Sequence, residues 1–223
     1  MDSNNKLARF NAPNSNESQN FQDDDLWGYI ANNQEINVAS NARIQNHIDW
    51  ISTQPEYLAS ISKRAKPFLY LVVSETEKQG VPIEIALLPI VESDYYPFSY
   101  SHGTAVGLWQ FIPSTGKMYG LEENWWHEDR RDILASTRAA VKYLKDHNEM
   151  FNGDWLMAIA AYNSGPGRVQ KAINANIELG LKADIWSINL PKETEKYVLK
   201  LLALGKVIKD PERYNQKLFV IEN

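Results

Sequence analysis

The sequence has 223 residues, a formal net charge of −5 and no cysteine. The missing thiols exclude disulfides, cysteine nucleophiles and cysteine-ligated zinc, and the acidic balance argues against a nucleic-acid partner. No apolar run approaches the roughly 18 residues of a membrane-spanning helix, and the first residues, MDSNNKLARF, contain no secretory signal.

The N-terminal half predicts a tail followed by four helices. Residues 1–25 are rich in Asn, Ser, Gln and Asp, so they cannot bury enough apolar surface to fold and are predicted to be disordered. Apolar residues at helical spacing follow, interrupted by proline and glycine. They predict four helices. The first begins at Leu26, the second ends before Pro55, the third spans residues 57–79 with a kink or break at Pro67, and the fourth spans residues 83–93.

The C-terminal half predicts further helices. The segment LWQFIPSTGKMYG predicts a short helix and turn, and PKETEKYVLKLLALGKVI predicts the last strong helix. Asp132 is placed to cap RRDILASTRAAVKYLKDH, and Asp154 is placed to cap WLMAIAAYN, which SGPG terminates. Since no segment alternates apolar and polar residues over the length of a strand, the fold class is predicted to be mainly α with little β structure.

Glu92 is the residue whose position suggests chemistry. It follows Leu87, Leu88, Ile90 and Val91, so desolvation would raise its pKa and keep a carboxyl able to act as a general acid. The alternative is a carboxylate on the helix rim, in water or beside a Lys or Arg. Many aromatic residues come after it, and aromatic faces together with side-chain amides suit sugar rings and their substituents.

The four histidines do not form a metal-ligand pattern. His47, His102, His127 and His147 are scattered along the chain, with no pair at a ligand spacing. Each is predicted to be solvated or hydrogen-bonded, and no metal site is expected. No nucleophile elbow surrounds any serine, and GTAVGLW lacks the lysine of a phosphate-binding loop. Carboxylate chemistry is therefore the remaining catalytic hypothesis.

Four sequence blocks together resemble one family. ES at 92–93, GLWQF at 107–111 and AYNSGPGRV at 161–169 stand in the order and approximate spacing of the soluble lytic transglycosylase domain. LPKETEKYV at 190–198 resembles a fourth block, typical of the branch represented by membrane-bound lytic murein transglycosylase D. The resemblance covers about residues 65–205. It implies a lysozyme-like helical catalytic domain with a groove for glycan strands.

The resemblance also implies an activity. Members of the family cleave the β-1,4 bond between N-acetylmuramic acid (MurNAc) and N-acetylglucosamine (GlcNAc) in peptidoglycan and leave a 1,6-anhydromuramoyl end, without a cofactor. By that resemblance Glu92 is the single catalytic acid and base. It first protonates the leaving oxygen and then takes the proton of the muramoyl 6-hydroxyl, which attacks the anomeric carbon. Assistance by the substrate's acetamido group fits the absence of a second obligatory carboxylate.

Five further positions match the family's substrate-binding residues. Ser101 matches a serine that orients the catalytic carboxyl or the substrate, and Gln110 matches a residue that contacts the acetamido region. Tyr162 matches a tyrosine near the scissile sugar, and Asn163 matches an asparagine of the site. Tyr197 matches a tyrosine beside the catalytic glutamate. One departure is Ser164, which stands where alanine is common, a small-for-small change expected to be harmless.

The resemblance completes the domain and cellular predictions. The chain is divided into a tail at 1–25, an N-terminal helical extension at 26–64, the catalytic domain at 65–205 and a C-terminal tail at 206–223. A monomer that acts on peptidoglycan in the periplasm of a Gram-negative bacterium is expected, and the family also allows association with the outer membrane. Two other hypotheses stay open at this point: a goose-type lysozyme-like muramidase, which needs a second carboxylate, and a wall-binding protein without turnover.

Overall fold

The computed structural model describes residues 25–101 and 103–222, so the predicted tail, apart from Asp25, lies outside the described residues. Within those ranges the chain forms ten α-helices. They are α1 (Leu26–Asn32), α2 (Ala42–Ser52), α3 (Tyr57–Ala65), α4 (Leu69–Lys78), α5 (Leu88–Ser93), α6 (Pro113–Met118), α7 (Ile133–Met150), α8 (Trp155–Ser164), α9 (Pro166–Glu178) and α10 (Lys192–Lys209).

The remaining regular structure is short. Three 3₁₀ helices occur at Ile83–Leu87, Asp129–Arg131 and Glu212–Tyr214. Two-residue strands β1 (Glu123–Asn124) and β2 (His127–Glu128) pair antiparallel, with Glu123 opposite Glu128. The mainly α prediction is therefore confirmed. Among the described residues, no helix is both long and apolar enough to cross a bilayer.

Side chains at the helix ends explain several of the boundaries. Asp132 accepts a hydrogen bond from the Ala135 backbone N–H, and Asp154 accepts bonds from the N–H groups of Leu156 and Met157. Each bond satisfies a donor that the first turn of a helix leaves unpaired. Both predicted caps are confirmed.

The prediction of one continuous helix over residues 83–93 is wrong, because the segment contains two helices of different type. Residues 83–87 form a 3₁₀ helix, and only Leu88–Ser93 is α-helical. Pro89 explains the change, because it has no N–H to donate to the carbonyl of Ile85, as a continuous α-helix requires. Pro89 instead lies in the first turn of α5, where a missing donor costs nothing.

Two other predictions can be compared with the structure. The break predicted at Pro67 is present, because α3 ends at Ala65 and α4 begins at Leu69. Helix α9, by contrast, was missed, since SGPG was treated only as a terminator. Gly165 at φ +85° follows the last residue of α8, and Pro166 then starts the new helix at the position that proline favours.

The N- and C-terminal segments share one core with the central part of the chain. Helix α10 packs against α1, α2, α5 and α8 and runs past residue 205 to Lys209. The amide of the buried Gln216 donates to the carbonyls of Ile51 and Gln54, and the Leu26 N–H donates to the Ile221 carbonyl. The predicted domain boundaries stay predictions, but in space these segments pack together.

Candidate active site

A groove with two connected cavities runs past the end of α5. The first, called here the Ser101 cavity, has a volume of about 500 Å³ and is lined by Ser101, Gln110 and Tyr162 among others. The second, called the Trp50 cavity, has a volume of about 630 Å³ and is lined by Trp50 of α2 and by residues of α10. Glu92, Asn163 and Glu193 line both cavities. Glu92 therefore lies where the two halves of the groove meet.

The Glu92 carboxyl has a raised pKa of about 7. Burial is the main cause. Glu92 lies in the last turn of α5, whose Leu88 and Ile90 are fully buried. The hydrogen bond from Tyr197 and the charge of Lys200 oppose the rise, while the charge of Glu193 adds to it. A carboxyl with this pKa is present in both protonation states near neutral pH, so it can both donate and accept a proton.

Tyr197 contacts Glu92 directly. The Tyr197 hydroxyl donates a hydrogen bond to Oε1 of Glu92 at 2.5 Å, although 105 residues separate the two in sequence. Burial, and then the charge of Glu92, raise the Tyr197 pKa well above its ordinary value. Tyr197 is therefore a neutral donor whenever Glu92 is ionised. The sequence-based expectation that Tyr197 lies beside Glu92 agrees with this geometry.

Tyr162 connects α8 to the GLWQF segment. Its hydroxyl donates to the Trp109 carbonyl at 2.8 Å, and the Trp109 indole N–H donates to Thr137 Oγ1 at 2.9 Å. Burial is the first cause of the raised Tyr162 pKa, and the charge of Glu92 is the second. Tyr162 therefore lies within electrostatic reach of Glu92 while its hydroxyl is engaged by the backbone.

A profile of the family described as "Transglycosylase SLT domain" matches residues 71–185, just over half of the chain. The chain belongs to this transglycosylase family. Membrane-bound lytic murein transglycosylase D of Escherichia coli (strain K12) is 43% identical over 196 residues, which cover 88% of this chain and 43% of that protein. The chain thus spans less than half the length of this relative. The resemblance stated from the sequence is confirmed.

Two further comparisons agree with the family assignment. The peptidoglycan transglycosylase gp16 of Escherichia phage T7 is 34% identical over 116 residues, covering 52% of this chain and 8% of that protein. The 70 kDa soluble lytic transglycosylase Slt70 from Escherichia coli matches in structure with a TM-score of 0.52 at 18% identity, covering 82% of this chain and 32% of that chain. The structural match confirms the predicted lysozyme-like fold.

The family's GLWQF block forms a tight loop at the groove. Gly107 has φ +81°, and a Cβ added there would lie 2.1 Å from the Arg130 carbonyl oxygen, so no other residue fits. The Ser93 hydroxyl lies 2.9 Å from the Leu108 carbonyl, which ties the end of α5 to the same loop.

Ser101 and Gln110 line the Ser101 cavity but bond to their own loop. Ser101 Oγ accepts hydrogen bonds from the N–H groups of Gly103 and Ala105, both at 3.2 Å. Gln110 Nε2 donates to the Gly107 carbonyl at 2.8 Å. Among the described residues, neither side chain hydrogen-bonds to Glu92. Ser101 therefore does not orient the carboxyl directly in this structure, and its role towards substrate stays a prediction.

Several groove residues were missed from the sequence, and they come from α2 and α10. Glu193 and Lys200 lie four residues before and three residues after Tyr197, so helical spacing already places them on the same face. His47 and Trp50 of α2 gave no such signal. They lie outside the buried stripe of that helix, and the sequence does not indicate which element this other face contacts.

His147 corrects the prediction made for the histidines. It is only 3% exposed, and among the described residues neither ring nitrogen has a hydrogen-bond partner. Its ring packs on Tyr143 with the centroids 4.1 Å apart, and burial lowers its pKa to about 4. His147 is therefore a neutral residue that contributes to the core by the packing of its ring. No cluster of potential metal ligands occurs in the described part of the chain.

Proposed function

We propose that this chain cleaves peptidoglycan as a lytic transglycosylase, with Glu92 as its single general acid and base. The bond cut is the MurNAc-β-1,4-GlcNAc linkage, and the product ends in 1,6-anhydromuramic acid. The observation that supports this most strongly is the partly buried Glu92, with a pKa of about 7 and a bond from Tyr197, in the middle of an open groove. The names of its lytic transglycosylase relatives support the choice of substrate.

The proposed reaction moves one proton in each of two steps. Protonated Glu92 gives its proton to the glycosidic oxygen as the bond from that oxygen to the anomeric carbon breaks, and the acetamido oxygen of the substrate assists at that carbon. The muramoyl 6-hydroxyl oxygen then bonds to the same carbon and displaces the acetamido oxygen. Its proton passes to ionised Glu92, so the enzyme returns to its starting state. A pKa of about 7 suits both steps.

The other predicted site residues are proposed to hold the glycan strand. Ser101 and Gln110 line the Ser101 cavity with Tyr162, and Asn163 lies where the two cavities meet. Side-chain amides can pair with the hydroxyl and acetamido groups of sugars. Tyr197 is proposed to donate to ionised Glu92 through the second step.

Replacing Glu92 with Gln tests the proposal. The change keeps the shape of the side chain but removes the transferable proton, so release of soluble fragments from purified peptidoglycan should fall by at least a thousandfold (about 4 kcal/mol). Glu149→Gln is the matched control, because Glu149 is an exposed carboxylate in the last turn of α7 and should leave the rate unchanged. Activity that survives Glu92→Gln would exclude Glu92 as the acid, and an inactive wild type would favour the wall-binding alternative.

One observation favours the muramidase as the second candidate. Glu193 is a second carboxylate that lines both cavities and acts electrostatically on Glu92, and it could activate a water molecule. The Asp94 carboxylate is already engaged, since it accepts a bond from the Tyr57 hydroxyl at 3.3 Å. If Glu193 is such a base, Glu193→Gln should abolish cleavage and wild-type products should end in reducing muramic acid. The transglycosylase mechanism predicts that anhydro ends persist in this variant.

The proposed substrate also implies a location. We place the protein in the periplasm or cell envelope of a Gram-negative bacterium, acting as a monomer in association with the outer membrane. The relatives whose names include "membrane-bound" support an association with a membrane. Fractionation of the native cells with an antibody against this chain tests the assignment. The protein should appear in the periplasmic or outer-membrane fraction, and a cytoplasmic signal would contradict it.

A further inference from the structure

The two halves of the groove differ in charge. Lys196, Lys200 and His47 all line the Trp50 cavity, together with the carboxyls of Glu92 and Glu193. The described residues that line the Ser101 cavity include no lysine, arginine or histidine. A ligand that fits this arrangement is neutral on one side of Glu92 and negatively charged on the other.

Lys196 is the lysine of the Trp50 cavity that forms no ion pair among the described residues. Lys200 lies 3.9 Å from the Asp94 carboxylate and packs over the Tyr57 ring, so its charge is partly satisfied. Lys196 is exposed and forms no ion pair among the described residues. Burial, and then both lysines, lower the His47 pKa, so His47 is a neutral hydrogen-bonding group at neutral pH.

The proposed substrate contains a group of the required chemistry. The MurNAc-GlcNAc backbone is uncharged where its lactyl carboxyls are amidated by peptide stems, whereas the stems themselves bear free carboxylates. We infer that Lys196, supported by Lys200 and His47, binds a carboxylate of the peptide stem next to the scissile bond. This inference rests on the proposed function. Trp50, half exposed and held edge-on by Tyr57 at a centroid distance of 5.5 Å, offers an apolar face to the stem's alanine side chains.

A different explanation of the lysines makes a different prediction. Lys200 also lowers the Glu92 pKa, so the lysines could serve only to tune the acid. Tuning would change the cleavage of every substrate by the same factor. Binding of a stem carboxylate would change only the cleavage of strands that carry stems. The ratio of the two kcat/KM values therefore separates the explanations.

The experiment compares two substrates made from one preparation. Glycan strands with intact stems are compared with strands stripped of stems by an amidase, whose newly exposed lactyl carboxylates are then converted to uncharged methylamides. Both are digested by wild type and by Lys196→Gln, and kcat/KM is measured for each. The wild type should prefer strands with stems. Loss of a charge-assisted hydrogen bond should lower the stem-bearing to stripped ratio about tenfold, whereas Lys196→Arg should retain most of it. Lys209→Gln, an exposed lysine in the last turn of α10, is the control.

The outcomes separate this inference from the proposed function. An unchanged ratio in Lys196→Gln would overturn the inference, even if both strands yield anhydro products. If wild type cuts neither strand, titration of the same strands into Glu92→Gln and into the Glu92→Gln, Lys196→Gln double variant decides instead. The second replacement should weaken binding of stem-bearing strands about tenfold relative to stripped ones. If the single and the double variant show the same ratio of affinities for the two strands, the inference is refuted.

Discussion

At the residue scale, the proposed chemistry depends on one carboxyl and its immediate neighbours. Burial makes ionisation of Glu92 costly, while the Tyr197 hydroxyl and the Lys200 ammonium favour it. The balance places the pKa at about 7 instead of the ordinary value of 4.5. Each neighbour therefore adjusts the pH range in which Glu92 can donate a proton.

Replacing Tyr197 with Phe tests this balance. The hydrogen bond from Tyr197 stabilises the ionised form, so its loss should raise the Glu92 pKa further. The alkaline limb of the activity profile, where protonated Glu92 is lost, should move to higher pH, and the maximal rate should fall because the carboxylate is less well held. Tyr214→Phe, outside both cavities, is the control. A profile that moves to lower pH would contradict the assignment.

The residue scale also marks the limit of prediction from the sequence. The apolar run before Glu92 already indicated a raised pKa, and physical reasoning about desolvation was sufficient for that. The contact with Tyr197 could be expected only through the family resemblance, because no local pattern connects residues 105 positions apart. His47 and Trp50 were missed because the outward face of α2 does not indicate what it lies against.

At the element scale, the site is assembled by α5, α8 and α10 together with the GLWQF loop. Caps at Asp132 and Asp154 made α7 and α8 predictable, since a polar side chain before an apolar run is a local signal. The 3₁₀ turn before α5 and the start of α9 were missed because prolines have opposite effects inside a helix and in its first turn. Local propensity predicts which segments are helical better than it predicts where they end.

The GLWQF loop gives a test at this scale. Gly107→Ala should destabilise the protein by about 3 kcal/mol or more, because it adds a clash with the Arg130 carbonyl to the strain of a positive φ. Gly120→Ala is the matched control, with φ +80° but nothing within 4 Å of the added Cβ, and should cost only about 1 kcal/mol. Urea unfolding midpoints measure both changes. Equal losses of stability in the two variants would show that the close approach to Arg130 does not restrict position 107 to glycine.

At the scale of the whole molecule, the proposed function of Glu92 and the stability of the fold make opposite demands on this carboxyl. The folded protein holds this carboxyl at a pKa of about 7, whereas the unfolded chain titrates it near 4.5, a difference of about 3 kcal/mol. The stabilising contribution is complete below the unfolded pKa and is lost as the pH rises through the folded pKa. The folded state is therefore penalised at alkaline pH by the carboxyl that is proposed to be catalytic.

Glu92→Gln should remove this penalty. Gln stays neutral at every pH, so the variant should gain free energy of unfolding relative to wild type as the pH rises from 4 to 8. The gain should reach at most about 3 kcal/mol at pH 8, since partial exposure of Glu92 lets water screen its charge. Urea titrations of both proteins across this pH range measure the difference. A gap that stays constant with pH would mean that Glu92 is not desolvated in the folded protein.

A segment outside the family profile also contributes to the groove. Helix α2 lies outside the residues matched by the family profile, yet it packs on α10 and supplies one wall of the Trp50 cavity. From the sequence, residues 26–64 were predicted to form an N-terminal helical extension, with no role in the groove. Its position followed from packing between distant elements, which neither composition nor periodicity contains.

End-group analysis of the digested wall tests the central claim most directly. Purified peptidoglycan is digested by the wild-type protein in ¹⁸O-labelled water, reduced with borohydride at once and analysed by mass spectrometry. Because Glu92 is proposed to activate the substrate's own 6-hydroxyl, the new muramoyl ends should be 1,6-anhydro and contain no label. Reducible muramic acid ends that contain ¹⁸O would show that water is the acceptor, and would contradict the proposed mechanism.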